Sequence, residues 1–132
     1  MTSISLPTYS EAARGSLTVA ESGGAIPFPI ARIFYIYGLN EDYERGAHAH
    51  RKSEQVFIAI SGSFSLTVTN ADETKIYMMK EPNFAVYVPP MIWARIHDFS
   101  QGAVCLVLTN TAYNASDYIR DWREFMAEVG KA

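Results

Sequence analysis

Arg45 to Gly62 reads RGAHAHRKSEQVFIAISG, two histidines two residues apart followed by an alternating apolar run that stops at a glycine. Successive side chains of an extended strand point to opposite faces, so His48 and His50 share one face and Ala49 takes the other. Two imidazoles that converge on one cavity admit three readings: a metal site, an acid–base pair, or two solvated side chains at the mouth of a strand. In each of them the Val, Phe and Ile that follow form a strand.

Outward from this stretch the pattern remains short, β-rich and punctuated. Strands are expected at Ser16–Glu21, Ile30–Gly38, Glu54–Ser61, Phe64–Thr69, Thr74–Met79, Phe84–Pro89, Trp93–Phe99 and Ala103–Asn110. The turns SGS (Ser61 to Ser63) and NADE (Asn70 to Glu73) bracket FSLTVT as a meander. GAIPFP (Gly24 to Pro29) is expected as a loop or edge, because proline cannot donate to a ladder. Only the end of the chain changes period. In ASDYIRDWREFMAEVG, Tyr118, Ile119, Trp122, Phe125, Met126 and Val129 recur at helical spacing, with Ser116 or Asp117 as cap and Gly130 as stop. The expectation is an all-β sandwich or barrel with one C-terminal α-helix, a single domain over residues 1–132.

The chain has 132 residues, 48% of them hydrophobic, which suffices for one self-contained core. A net charge of −3 gives no basic field for nucleic acid, so an anionic ligand has to be held by local arginines. The lone Cys105, inside AVCLVL, reads as a buried, inert thiol. No signal peptide and no apolar run of membrane-spanning length is seen, so no membrane partner and a cytoplasmic location are expected.

The HxH spacing, with Gly46 before it and Gln55 and Gly62 after it, resembles the first motif of the cupin superfamily, small antiparallel β-barrels or jelly rolls that often bind a metal. That resemblance implies two more ligands, because a divalent metal takes three or four N/O donors. Their expected positions hold Gln55, a neutral amide, and Ala94. Glu54 and His97 stand near these positions but out of register. The ligand count therefore favours free imidazoles over a metal, and histidine suits proton transfer because its ordinary pKa lies near neutrality.

A narrower resemblance covers nearly the whole chain in order: RGSL (Arg14 to Leu17), IPFPIARIFYIYG (Ile26 to Gly38), RGAHAHRKSEQV (Arg45 to Val56), YVPPMIWARIHDFS (Tyr87 to Ser100) and DYIRDWREF (Asp117 to Phe125). These segments resemble the sugar nucleotide 3,4-ketoisomerases, which act on dTDP-4-keto-6-deoxyglucose in the synthesis of deoxyamino sugars for lipopolysaccharide and other glycans. The resemblance implies a dTDP-linked keto-deoxysugar as partner, no cofactor, and a homodimer, with N-terminal strands exchanged in one arrangement. By motif position His48 is the base at carbon 3 and His50 assists. Tyr35, on one strand face with Ile33 and Tyr37, is the candidate hydroxyl relay, with Tyr37 second. Arg14 and Arg32 match positions that face the nucleotide sugar, and Arg45, Gln55, Tyr37 and Trp93 complete the expected binding set. Arg51, Lys52 and Arg95 read as a solvated face. Ala94 departs from the family pattern, in which a histidine often follows the tryptophan. A non-catalytic sugar-nucleotide-binding cupin and a metal-dependent cupin enzyme are the alternatives.

Overall fold

Two five-stranded antiparallel sheets face each other in the computed structural model, which describes residues 1–130. The strands are β1 (Thr2–Ser5), β2 (Thr8–Glu11), β3 (Gly15–Thr18), β4 (Arg32–Ile36), β5 (Arg45–His50), β6 (Gln55–Ser61), β7 (Phe64–Thr69), β8 (Thr74–Met79), β9 (Phe84–Val88), β10 (Trp93–His97), β11 (Val104–Thr109) and β12 (Tyr118–Ile119); α1 is Trp122–Glu128. One sheet runs β1-β9-β6-β11-β4 and the other β12-β5-β10-β7-β8, while β2 and β3 form a separate hairpin. This is the cupin-like, all-β fold with a C-terminal helix that the sequence led us to expect.

Alternation along the strands sorts the apolar residues into three layers. Phe57, Phe64, Leu66, Val68, Val86, Ile96 and Val107 fill the space between the sheets. Val56, Ile58 and Leu108 point to the back of the first sheet, where Leu6, Ile26 and Phe28 cover them. The GAIPFP loop is therefore a lid over one sheet, with Ile26 fully buried. On the back of the second sheet, Ala49 and Ile119 pack under Phe125 of α1. Cys105 lies in the central layer, where burial pushes its thiol up to about 12, as expected for an inert cysteine.

Two segments differ from expectation. Before Ser16 no strand was anticipated, yet β1 pairs with β9 and β2 with β3; strands of four residues in a Ser/Thr-rich segment leave too short an apolar pattern to read. The C-terminal helix is also shorter than anticipated. Asn114 caps a 3-10 turn at Ala115–Asp117, Tyr118–Ile119 extend as β12 on β5, and Asp121 caps α1 through the N–H groups of Arg123 and Glu124. Asp117 is thus not a helix cap, and it is free to turn inward. Among the described residues no helix is long and apolar enough to cross a membrane.

Gly62 closes the β6–β7 hairpin with a φ of 64°, and a Cβ there would sit 2.8 Å from the Ala103 Cα. Only glycine combines that left-handed turn with so close a backbone approach.

Candidate active site

Gly46 determines how the histidines are aimed. Across β5 and β10, Ala94 pairs with His48 and Ile96 with Arg45, so three residue steps on one strand oppose two on the other. The extra residue is a β-bulge, and Gly46, at a φ of 70°, supplies the left-handed conformation that such a bulge uses. Beyond it the strand regains its alternation. His48 and His50 turn into the barrel with ring centroids 5.0 Å apart, and Ala49 turns out beneath α1.

His50 is buried and held from behind. Its Nδ1 lies 3.0 Å from Asp117 Oδ2, and that oxygen also accepts from the Ser53 hydroxyl. The other carboxylate oxygen accepts from the Lys52 backbone N–H at 2.7 Å. Thr111 Oγ1 stands 2.6 Å from Ser53 Oγ, and because the Ser53 proton goes to Asp117, the Thr111 hydroxyl is the donor in that pair. Burial alone would raise the Asp117 pKa; the bonds from Ser53, His50 and the Lys52 N–H outweigh it and hold the carboxyl below its ordinary value. An ionised Asp117 can only accept, so Nδ1 carries the His50 proton and Nε2 carries the lone pair. Nε2 is buried and has no hydrogen-bond partner in the chain.

Burial lowers the pKa of both rings. His48 is brought down to about 4 by desolvation first, then by His50 and Arg120. For His50, desolvation outweighs the opposing pull of Asp117. At neutral pH both are uncharged imidazoles, able to accept a proton.

His48 is the ring that meets open space. It lines an open groove of about 470 Å³ together with Arg45, Tyr35, Tyr37, Tyr118 and Arg120. On its other side is a small apolar notch of about 30 Å³, bounded by Gln55, Ala94, Phe34 and Phe57. Tyr118 packs against both imidazoles, with centroids 4.9 Å from His48 and 4.3 Å from His50, and the Arg120 guanidinium lies 4.4 Å over the Tyr118 ring.

The other expected site residues fall in several places. Tyr35, on the exposed face of β4 with Ile33, and Tyr37, just past the end of that strand, line the groove as exposed residues. Arg45 and Gln55 line the groove and the notch respectively. Arg32 has no carboxylate partner among the described residues. It sits between the Phe34 and Tyr113 rings, with its Nε buried and unbonded. Thr109 pairs with Arg32 on one side and Gln55 on the other, which makes a polar row across β4, β11 and β6. Arg14 is elsewhere, at the tip of the β2–β3 hairpin beside Glu11. Trp93 does not reach the groove: alternation sends Ala94 toward His48 and Trp93 to the opposite face, against Trp122 and Phe125.

Arg51 is not part of a solvated face. Its guanidinium donates to the backbone oxygens of Ser116 and Tyr118 and to the carboxylates of Glu124 and Glu128. It ties α1 to the segment that carries Asp117. Arg95 likewise pairs with Glu44 at 2.9 Å. His97 lies off register, as expected, bonded to Thr67 and Asp98 on the outer side of β10.

Asp117, Tyr118, Arg120 and Ser53 were not among the anticipated site residues. The signal was in DYIR, read at period 2 rather than 3.6: Asp117 and Ile119 are buried, whereas Tyr118 and Arg120 face the groove.

Comparison with known proteins places this chain in a family. The family model FdtA: WxcM-like, C-terminal matches residues 1–130. A TDP-4-oxo-6-deoxy-alpha-D-glucose-3,4-oxoisomerase from Aneurinibacillus thermoaerophilus is 36% identical over 118 residues, 89% of this chain and 85% of the relative. A 3,4-ketoisomerase from Helicobacter canadensis superposes with a TM-score of 0.93 at 37% identity, covering 97% of this chain and 96% of the other. QdtA, a sugar 3,4-ketoisomerase from Thermoanaerobacterium thermosaccharolyticum solved with TDP, superposes with a TM-score of 0.94 at 35% identity, covering 98% and 94%.

Proposed function

The chain belongs to the FdtA family (WxcM-like, C-terminal), whose similar members are sugar 3,4-ketoisomerases, and from that membership we propose that it converts TDP-4-keto-6-deoxyglucose to the 3-keto isomer by proton transfer between the sugar and its own side chains. The observation that carries this reading is the pair of uncharged imidazoles, His48 open to the groove and His50 fixed behind it by Asp117.

His48 takes the proton from carbon 3, which the neighbouring carbonyl acidifies. The C–H pair becomes the C3=C4 bond, and the carbonyl π pair moves onto the carbon 4 oxygen. A proton passes from the carbon 3 hydroxyl to that oxygen, with the exposed Tyr35 or Tyr37 hydroxyl as relay. The pair on the carbon 3 oxygen then forms the new carbonyl, and carbon 4 takes the proton back from His48. Protons and electrons balance without a redox partner. Burial keeps the second imidazole, His50, neutral, and Asp117 keeps it correctly turned. Metal-independence is supported by the donor set: Ala94 and Gln55 occupy the positions a metal would need as ligands, and Asp117 already engages His50.

Arg45 and Arg32 are the cations we assign to the diphosphate, because arginine pairs with phosphate oxygens through charge-assisted bonds. Arg14 belongs to the same set in a homodimer. The β2–β3 hairpin that carries it has no buried residue and shows Tyr9 and Leu17 as an exposed cross-strand pair. An isolated hairpin is marginally stable in water, and β4 offers an exposed apolar face at a sheet edge. A cytoplasmic role in making deoxyamino sugars for lipopolysaccharide or another glycan completes the proposal.

Incubating the purified protein with TDP-4-keto-6-deoxyglucose and a chelator tests the reading by NMR. The 3-keto product is expected with chelator present. Binding of TDP without any rearrangement would leave only a sugar-nucleotide-binding module, and turnover that needs added metal would overturn the metal-free route.

A further inference from the structure

Removing a proton next to a ketone places a negative charge on the carbonyl oxygen, while the positive charge of the proton goes to His48, the base at carbon 3, and not to a donor at that oxygen. An enolate formed in a partly desolvated site needs a cation or fixed donors aimed at that oxygen. The lining of the groove offers one such group. β12 pairs antiparallel with β5, Tyr118 opposite His50 and Ile119 opposite Ala49. Continuing that register by one residue sets Arg120 opposite His48, on the face that Tyr118 and the histidines share.

Arg120 is also held in place at this spot. Its guanidinium lies over the Tyr118 ring, 4.4 Å from the centroid, and Tyr118 in turn packs on both imidazoles. No carboxylate among the described residues lies within ion-pair distance of it, whereas Arg14, Arg51 and Arg95 each have one. A guanidinium stacked on an aromatic ring keeps its in-plane N–H donors free at its edge. Its charge is felt by both rings, which it makes harder to protonate.

We propose that Arg120 is a catalytic residue of the ketoisomerase reaction, donating through its guanidinium edge to the carbon 4 oxygen of the sugar and stabilising the enediolate formed when His48 removes the carbon 3 proton. The proposal rests on the ketoisomerase reading above. It gives the cations of the groove separate roles. Arg45, at the start of β5, serves the diphosphate, and Arg120, opposite His48 in the continued register, serves the reacting oxygen. Because the charge exists only after proton removal, Arg120 acts on the chemical step more than on binding.

The test compares the wild type with R120Q and R120K, measuring kcat and KM with TDP-4-keto-6-deoxyglucose, TDP affinity by calorimetry and thermal stability. Arg120 is exposed, so neither variant strips a buried contact. R120Q is expected to lower kcat roughly 100-fold or more, the loss typical of a deleted oxyanion donor, while TDP affinity stays within about threefold. R120K, which keeps the charge and loses the planar fork, is expected to recover part of the loss. A kcat within threefold of wild type in R120Q would overturn the proposal. So would a large loss of TDP affinity with kcat retained at saturation, which would make Arg120 a phosphate ligand. A wild type that binds TDP but rearranges nothing would remove the ketoisomerase reading itself, and this proposal with it.

Discussion

The second sheet carries a histidine–aspartate hydrogen bond on each of its faces, and the two differ in everything except their length. Inside the barrel His50 meets Asp117 at 3.0 Å; outside it His97 meets Asp98 at 2.9 Å. The Asp117 side chain is 9% exposed and takes two further hydrogen bonds, whereas that of Asp98 is 75% exposed. In low dielectric a fixed carboxylate sets the tautomer and orientation of its ring; at the surface water competes for the same contact. What makes the inner pair chemically useful is the enclosure and the donors behind Asp117, not the distance. The inner pair also sits beside a groove through His48, whereas the far nitrogen of His97 is spent on Thr67 at 2.8 Å.

The widest separation between the two faces is expected in catalysis. H48N should lower kcat roughly a thousandfold, within the range for a lost general base, while H97N should stay within about twofold in the same assay. Equal losses in both variants would erase the distinction. Next in size, D117N should reduce kcat roughly 10- to 100-fold, because an amide no longer fixes the Nδ1–H tautomer of His50. D98N, as the matched change outside, should leave kcat unchanged.

Acid should reveal the inner pair in stability as well. Both inner imidazoles have pKa values lowered from 6.5, His48 to about 4, so between these limits the unfolded chain binds protons that the native chain does not. Stability is then fully present above pH 6.5 and declines as the pH falls toward 4, by on the order of 1–3 kcal/mol. Denaturant titrations across that window should show the slope in the wild type and less of it in H48N. The smallest effect concerns the anchor of Asp117. R51A removes the tie from Ser116, Tyr118 and α1, and should lower the melting temperature by a few degrees and reduce kcat more than it raises KM. R51K should recover only part of both, since a single ammonium cannot span the backbone oxygens and two carboxylates at once.

Much of this was legible because period and spacing carry it. The alternation in EQVFIAIS and FSLTVT fixed both strands to within a residue, and the HxH spacing put two imidazoles on one face. Ala94 could be read as a missing ligand, and the register places it directly across from His48. Contacts that come from chain ends meeting across the fold were not legible. Asp117 lies 67 residues from His50 and looks, in sequence, like the start of a helix. Arg51 was read by its charge and Trp93 by its place in the family motif, yet long-range packing under α1 decides the place of both.

The most direct test of the central claim is deuterium uptake at carbons 3 and 4 of TDP-4-keto-6-deoxyglucose in deuterated water, followed by NMR for the wild type and H48N. The wild type is expected to rearrange the ketone from carbon 4 to carbon 3, with solvent deuterium appearing at carbon 4 to the extent that the His48 proton exchanges first. H48N should neither rearrange the sugar nor exchange the carbon 3 proton, while still binding TDP. Rearrangement at an undiminished rate in H48N would contradict the role assigned to His48, because the proton would then be moving through a group other than the imidazole that faces the groove.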